Sequence, residues 1–293
     1  MNTQSALGKM RGARFKRHAS NAVVYVVLSV LAVFWVLPIL FLLYTAFRVT
    51  PSTGIINSLI PDGLTLGFQN YGRLFTETDF PRWLGNTVIV SLSSCLLTTA
   101  FVLMVSYALS RLRFRMRRPI MNVLLILGMF PGFMSMIAVY FILKAMSLTN
   151  SLVALVLVYS GSAALSYYIC KGFFDTVPRA VEEAATIDGA SQPVIFWKLI
   201  LPMAKPAIVY TVLTSFIAPW CDFIFVNTII SERSKYTVSL GLYKMINAER
   251  NSFNDNFTVF CAGASVVGVI IVALFISMQR YYVEGVTGGA VKG

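Results

Sequence analysis

Six almost uncharged runs alternate with polar segments along the chain, at residues 22–47, 85–110, 119–143, 151–170, 206–230 and 256–279. A helix needs about 20 apolar residues to cross a hydrocarbon core of about 30 Å, and every run is long enough. The pattern predicts an all-α integral membrane protein with six transmembrane helices. The first run is too long for a signal-peptide core of about 7–15 residues, so it reads as a retained helix. Pro38 is expected to kink that helix or to sit where neighbours re-satisfy the backbone. Gly128, Pro131 and Gly132 are expected to bend or break the third run, and Pro219 interrupts the fifth, which carries Asp222. The domain boundaries follow: a basic segment at 1–21, a six-helix domain at 22–281 and a Gly-rich tail at 282–293.

Most connecting segments are plain. Residues 48–84 and 231–255 read as polar loops, 111–118 as a tight basic loop and 144–150 as a short turn. The segment 171–205 differs, because its pattern turns amphipathic and predicts a helix-turn-helix over about 175–202. Asp175 or Thr176 suits an N-cap, with Pro178 in the first turn, where its missing N–H is not needed. Val181, Ala184, Ala185 and Asp188 fall on one face, and Gly189 stands where a helix ends in a left-handed residue. Ser191 can cap a second helix whose apolar face is Ile195, Phe196, Leu199 and Ile200, with Pro202 and Pro206 separating it from the next run. Glu182 and Glu183 match the dipole at the first helix's N-terminus and are placed to meet a basic partner.

Composition sharpens this picture. Charged residues make up 12% of the chain and hydrophobic ones 57%; a soluble domain carries about 25% charged. The formal charge of +12 would suggest nucleic acid on a soluble chain. Here the bases flank apolar runs and no nucleic-acid motif accompanies them, so they read as topology signals. Sixteen of the 24 Lys and Arg lie in the N-terminal segment, the 111–118 loop, the 171–205 segment and residues 280–293. The positive-inside rule then puts both termini in the cytosol. Cys95, Cys170, Cys221 and Cys261 sit in apolar stretches without C-x-x-C spacing and read as small buried hydrophobes. The single His18 lies in the basic segment, and no metal site is expected.

The stretch Glu183-Ala184-Ala185, Gly189, then Leu199, Leu201 and Pro202 closely resembles the EAA loop of permease subunits in type I ABC importers. Lys171-Gly172-Phe173-Phe174, Met129-Phe130-Pro131 and the tail from Gly285 to Gly293 resemble the smaller permease subunit of the maltose-type carbohydrate importers. The resemblance covers most of the chain and is weakest in the first loop. It implies a bacterial inner-membrane permease for a carbohydrate, an oligosaccharide with alginate-type acidic ones included. It implies a second related permease chain, two ATPase subunits and an extracytoplasmic solute-binding protein as partners. The EAA residues Glu182, Glu183, Ala184, Ala185, Asp188, Gly189, Leu199, Leu201 and Pro202 would couple to an ATPase subunit. Gly285, Gly288, Gly289 and Lys292 would reach the ATPase interface. Asn247, Asn251 and Asn254 would face the binding protein, the ordinary alternative being a solvated connector.

Pro131, Trp220, Asp222 and Phe223 are the candidates for a translocation pathway. A charge at mid-membrane is costly and faces a bundle interior or a water-filled path, so Asp222 lines the pathway or packs helices. Members of the family carry Trp-Asn-Asp/Glu-Phe here; this chain has Cys221 in place of the Asn. Met129, Met134 and Met136 with Phe130, Phe133 and Tyr140 read as helix packing, the alternative being a platform for sugar rings. No G-x-x-x-x-G-K-[ST] loop is present, so ATP and Mg are expected on the partner subunits and no cofactor on this chain. No Ser/His/Asp set exists either, so no enzyme is expected. The alternatives are an ABC permease for a non-sugar solute and an ion-driven secondary transporter, for which only Asp222 speaks.

Overall fold

The computed structural model describes residues 3–49, 65–129, 132–247 and 252–288, and side chains within 21–280 of these apart from Phe133 and residues 252–255. The described residues are helical apart from turns and one antiparallel bridge, Arg48 to Leu66. Helix α1 (Thr3–Phe47) takes in the basic segment and the first run without a break, Pro38 included. α2 (Gln69–Thr76) lies in the segment read as a polar loop, and α3 (Phe80–Arg111) starts five residues before the predicted boundary. Pro81 fits α3's first turn, and Thr78 Oγ1 accepts the Phe80 N–H at 3.1 Å.

Three runs are broken rather than continuous. The third gives α4 (Arg117–Met129) and α5 (Gly132–Ala145), bent by 106° at the Gly- and Pro-containing stretch. The fourth gives α6 (Leu152–Gly161) and α7 (Ala164–Thr176), bent by 43° at Gly161-Ser162-Ala163, where the apolar pattern gives no warning. α7 runs six residues past the predicted end at 170. The fifth divides into α10 (Lys205–Cys221) and α11 (Ile224–Ile229) at Asp222 and not at Pro219, which stays inside α10. Among the described residues three helices are long and apolar enough to cross a membrane, and three bent pairs pass when each is taken as one span: Arg117–Met129 with Met134–Ala145, Leu152–Gly161 with Ala164–Thr176, and Gln192–Met203 with Lys205–Cys221.

Between α7 and α10 come α8 (Arg179–Ile187) and α9 (Gln192–Met203). The predicted polar loop 231–255 contains a further helix, α12 (Val238–Asn247), whose Val238, Leu240 and Leu242 are buried. α13 (Ser252–Gly288) carries the sixth run and continues through Gly285 and Gly288 into the predicted tail.

α3 is the centre of the bundle, packed by α10, α7, α6 and α12. α13 packs α1, α10, α12 and α2. α1 is peripheral: residues 21–40 are exposed along its whole circumference, a surface suited to lipid or to another membrane chain. Polar side chains tie helices together from inside, as where Ser106 Oγ of α3 donates to the Tyr167 carbonyl of α7 at 2.9 Å. All four cysteines are free; Cys170 and Cys261 are buried as expected, whereas Cys221 is exposed at the break after α10.

Candidate functional site

Two places concentrate unusual chemistry. The first is the α8–α9 hairpin. Pro178 is the N-cap of α8, in extended conformation with ψ 133°. Neither Asp175 nor Thr176 caps it, because both belong to the last turn of α7. Asp175 accepts from Ser110 Oγ at 2.6 Å and pairs with Lys171, while Thr176 Oγ1 donates to the Phe173 carbonyl. α8 ends in a Schellman turn: the Gly189 N–H donates to Thr186 O at 3.0 Å and the Ala190 N–H to Ala185 O at 2.9 Å. Gly189 has φ +82°, a conformation an L side chain adopts only at a cost.

α9 contains a wide π turn over Ile195–Ile200, with the Leu201 N–H donating to the Phe196 carbonyl five residues back. Such a turn seats Pro202, whose ring would clash with the carbonyl four residues back in a regular helix. The helix therefore runs through Pro202 and breaks at Ala204, where α10 leaves at 81°.

Through Ile195, Phe196 and Ile200 of α9 the hairpin packs with Tyr107, Cys170 and Phe174 into one apolar floor. Ala185 packs against this floor, as do Leu199 and Leu201 in α9, and Val181 is half-buried. Ala184, Asp188 and Pro202 are exposed, so the face predicted to hold Val181, Ala184, Ala185 and Asp188 is divided between floor and surface. The outward stripe of α8 is Ala180, Glu183, Ala184 and Ile187, the last 86% exposed. Trp197 of α9 is exposed beside Phe196. Exposed apolar side chains of this size next to small residues suit a docking surface.

Glu182 does not belong to that surface. Its Oε1 lies 2.8 Å from Nε of Arg111, the last residue of α3, with side chains 16% and 5% exposed. The contact is an ion pair off the hydrogen-bond direction. The same guanidinium donates through Nη2 to the carbonyls of Phe174 and Val177 at the end of α7. Arg111 thus joins α3, α7 and α8 at one point. In the sequence it is one of five clustered arginines; the clue is its place as the terminal residue of an apolar helix.

The second place is a cavity of about 620 Å³ within the bundle. The three interruptions meet there. Gly128 and Gly132 come from the α4–α5 break, Gly161, Ser162 and Ala164 from the α6–α7 break, and Asp222 and Ile224 from the α10–α11 break. Irregular backbone at membrane depth is tolerated where it lines a cavity, which explains the convergence. Asp222 Oδ1 accepts the Phe225 N–H at 3.0 Å, capping α11, and Oδ2 accepts from the Tyr159 hydroxyl at 2.9 Å. Asp222 therefore lines the cavity and fixes the start of α11 at once. Tyr159 was not singled out by the sequence, where it is one tyrosine in an apolar run.

Trp220 and Phe223 lie away from the cavity lining. Trp220 is buried against Phe216, and Phe223 packs on Tyr243 with ring centroids 4.0 Å apart. Met136 lines the cavity; Met134 does not. Pro131, Asn251, Gly289 and Lys292 lie outside the described residues. Asn247 is exposed at the end of α12 and donates to the Tyr243 carbonyl. Asn254 belongs to the first turns of α13, its side chain outside the described set. Among the described residues no cluster of metal-ligating side chains occurs.

A family profile described as "Binding-protein-dependent transport system inner membrane component" matches residues 100–283. The galactooligosaccharides transport system permease protein GanQ of Bacillus subtilis is 32% identical over 274 residues, covering 92% of this chain and 94% of its own. The maltodextrin transport system permease protein MalD of Streptococcus pneumoniae is 30% identical over 283 residues, covering 96% and 98%. A chain from the crystal structure of a bacterial ABC transporter involved in import of the acidic polysaccharide alginate superposes with a TM-score of 0.76 at 20% identity. The match covers 91% of this chain and 98% of that one.

Proposed function

Because this chain belongs to the family of binding-protein-dependent transport system inner membrane components, we propose that it is one of two membrane chains of an ATP-driven oligosaccharide importer. It is a permease and not an enzyme. Its partners are a related permease, two ATPase subunits that carry ATP and Mg, and an extracytoplasmic solute-binding protein. Both termini and the α8–α9 hairpin face the cytosol. A carbohydrate rather than another solute is supported by the sugar permeases among its relatives.

The observation that carries the reading is the hairpin. It presents Ala180, Glu183, Ala184 and Ile187 outward while its inner side is fixed to the bundle by Arg111. ATP binding closes the ATPase pair, and the docked hairpin moves with it. Arg111 passes that displacement to α3 and α7, and the π turn with the 81° bend at Ala204 passes it to α10. α10 ends at Cys221 beside the cavity, so the movement reaches the place where three helices are already broken. The result is alternating access, a shift between two populations driven by the difference in ATP affinity. Hydrolysis resets the bundle.

Copurification of the tagged chain from mild detergent tests this. A second permease and an ATPase should come with it, and hydrolysis should rise when loaded binding protein is added. A chain that purifies alone, without nucleotide hydrolysis, contradicts the reading.

A further inference from the structure

We infer that the cavity at the three helix breaks is a sugar-contacting site that accepts uncharged sugar hydroxyls and rejects sugar carboxylates, with Asp222 and Tyr159 setting that preference. The inference rests on the importer reading above and adds the class of sugar.

The chemistry of the lining supports it. Among the described residues, Asp222 and Tyr159 are the ionisable side chains of the lining, with no Lys, Arg or His beside them. A carboxylate has about four lone-pair sites, and each Asp222 oxygen has one protein donor, Phe225 N–H or Tyr159 O–H. The remaining sites are open to a ligand. The hydroxyl protons of the lining are committed elsewhere. Tyr159 donates to Asp222, Ser162 to the Val158 carbonyl at 2.7 Å and Ser135 to the Gly132 carbonyl at 2.9 Å. What these groups offer the cavity is lone pairs. A neutral sugar brings O–H donors to such a site, while a uronate brings an acceptor-only negative charge next to Asp222. Met136, Leu165 and Phe225 supply apolar wall for the C–H faces of a ring. The volume suits a short oligosaccharide segment, since ligand sites typically span about 300–1,000 Å³.

The test is equilibrium binding to the whole importer in nanodiscs without binding protein, so that the binding protein's own preference does not enter. A labelled neutral trisaccharide is competed with a uronate trisaccharide. Wild type should bind the neutral sugar saturably and the uronate at least about tenfold more weakly, because like charges brought together cost several kcal/mol. Asp222→Asn keeps an oxygen for the Phe225 N–H and removes the charge, so the ratio should fall toward one. A merely structural cap predicts an unchanged ratio, and that result overturns the inference. So does equal competition in wild type, or no saturable neutral binding by an importer whose ATPase is active. Should Asp222→Asn fail to assemble, Tyr159→Phe decides: neutral-sugar affinity should fall severalfold, and an unchanged affinity overturns the inference. A chain that brings no ATPase with it instead refutes the importer reading beneath.

Discussion

Both ends of α3 are packed by apolar side chains, and they differ in that only the last turn adds a buried charge. At its first turns the contacts are close and mostly apolar. Trp83 lies so tightly over Gly241 that a Cβ there would stand 2.2 Å from the indole. Asn86 Nδ2 donates to the carbonyls of Ser234 and Tyr236 at 2.9 Å, and Thr87 Oγ1 accepts the Val238 N–H at 2.8 Å. The ion pairs near that end, Arg233–Asp79 and Lys235–Glu232, are exposed. At the last turns a buried guanidinium adds to the apolar packing around Tyr107 and to the Ser110–Asp175 hydrogen bond, reaching one carboxylate on α8 and two carbonyls at the end of α7. Interdigitated side chains fix one arrangement, because dense packing tolerates little displacement. An arginine fork can keep its partners while the elements carrying them rotate. On the proposed coupling, α3 is anchored at its first turns and meets the moving hairpin at its last.

Removing Arg111 should break the comparison most severely. Arg111→Ala leaves Glu182 and two carbonyls without their cation, a loss of about 3–5 kcal/mol for a buried pair. The thermal midpoint of the purified complex should drop, and surviving complex should hydrolyse ATP without uptake. The swap Arg111→Glu with Glu182→Arg should recover part of the pairing; a swap no better than the single variant would argue that the carbonyls matter more than the charge.

At the opposite end, Gly241→Ala should cost about 1–3 kcal/mol by overpacking, seen as lower stability with the ratio of uptake to hydrolysis preserved. Combining it with Trp83→Leu should restore part of the loss. An uncoupled Gly241→Ala importer would erase the distinction between the two ends. Gly189→Ala is smaller, about 1–2 kcal/mol for a left-handed residue with a side chain. Since nothing lies within 4 Å of that position, the penalty is conformational and should loosen the hairpin alone, visible as faster backbone hydrogen exchange in α8 with α3 unchanged.

The smallest effect is electrostatic. Hydrogen bonds from Lys235 and Ser234, with a further one from Asn150, hold the Glu232 carboxyl down to about 2. Its contribution to folding is present above the ordinary carboxylate range near 4.5 and is lost as pH falls toward 2. Wild type and Glu232→Gln should therefore differ by a constant, small amount in thermal midpoint above pH 5, and converge in strong acid.

The sequence carried the all-α membrane class because apolar runs of membrane length need no tertiary information; three of the runs are single helices of that length, and six spans result when each bent pair is taken as one. It also placed the turn at Gly189, where only local backbone geometry is involved. The breaks were legible where glycine and proline coincide, at 128–132, and illegible at Gly161-Ser162-Ala163, where small apolar residues read equally well as helix. The helix α12 escaped because its apolar side chains are interspersed with Ser239, Lys244 and Asn247 in a segment whose overall character is polar. The roles of Glu182 and Arg111 depend on a contact across 71 positions of sequence, which no local pattern encodes. Tyr159 and Asp222 meet across 63 positions for the same reason. Asp222 stood out alone because a charge in an apolar run is conspicuous, whereas a tyrosine there is ordinary.

On the proposed coupling, the outward face of the α8–α9 hairpin is the seat of an ATPase subunit. A photo-crosslinking amino acid placed at Ile187, the most exposed apolar position of that face, tests it directly in intact membranes. The account predicts an adduct containing a nucleotide-hydrolysing subunit, with its yield changed by ATP. Adducts to lipid alone, or to no ATPase under any nucleotide condition, would contradict it.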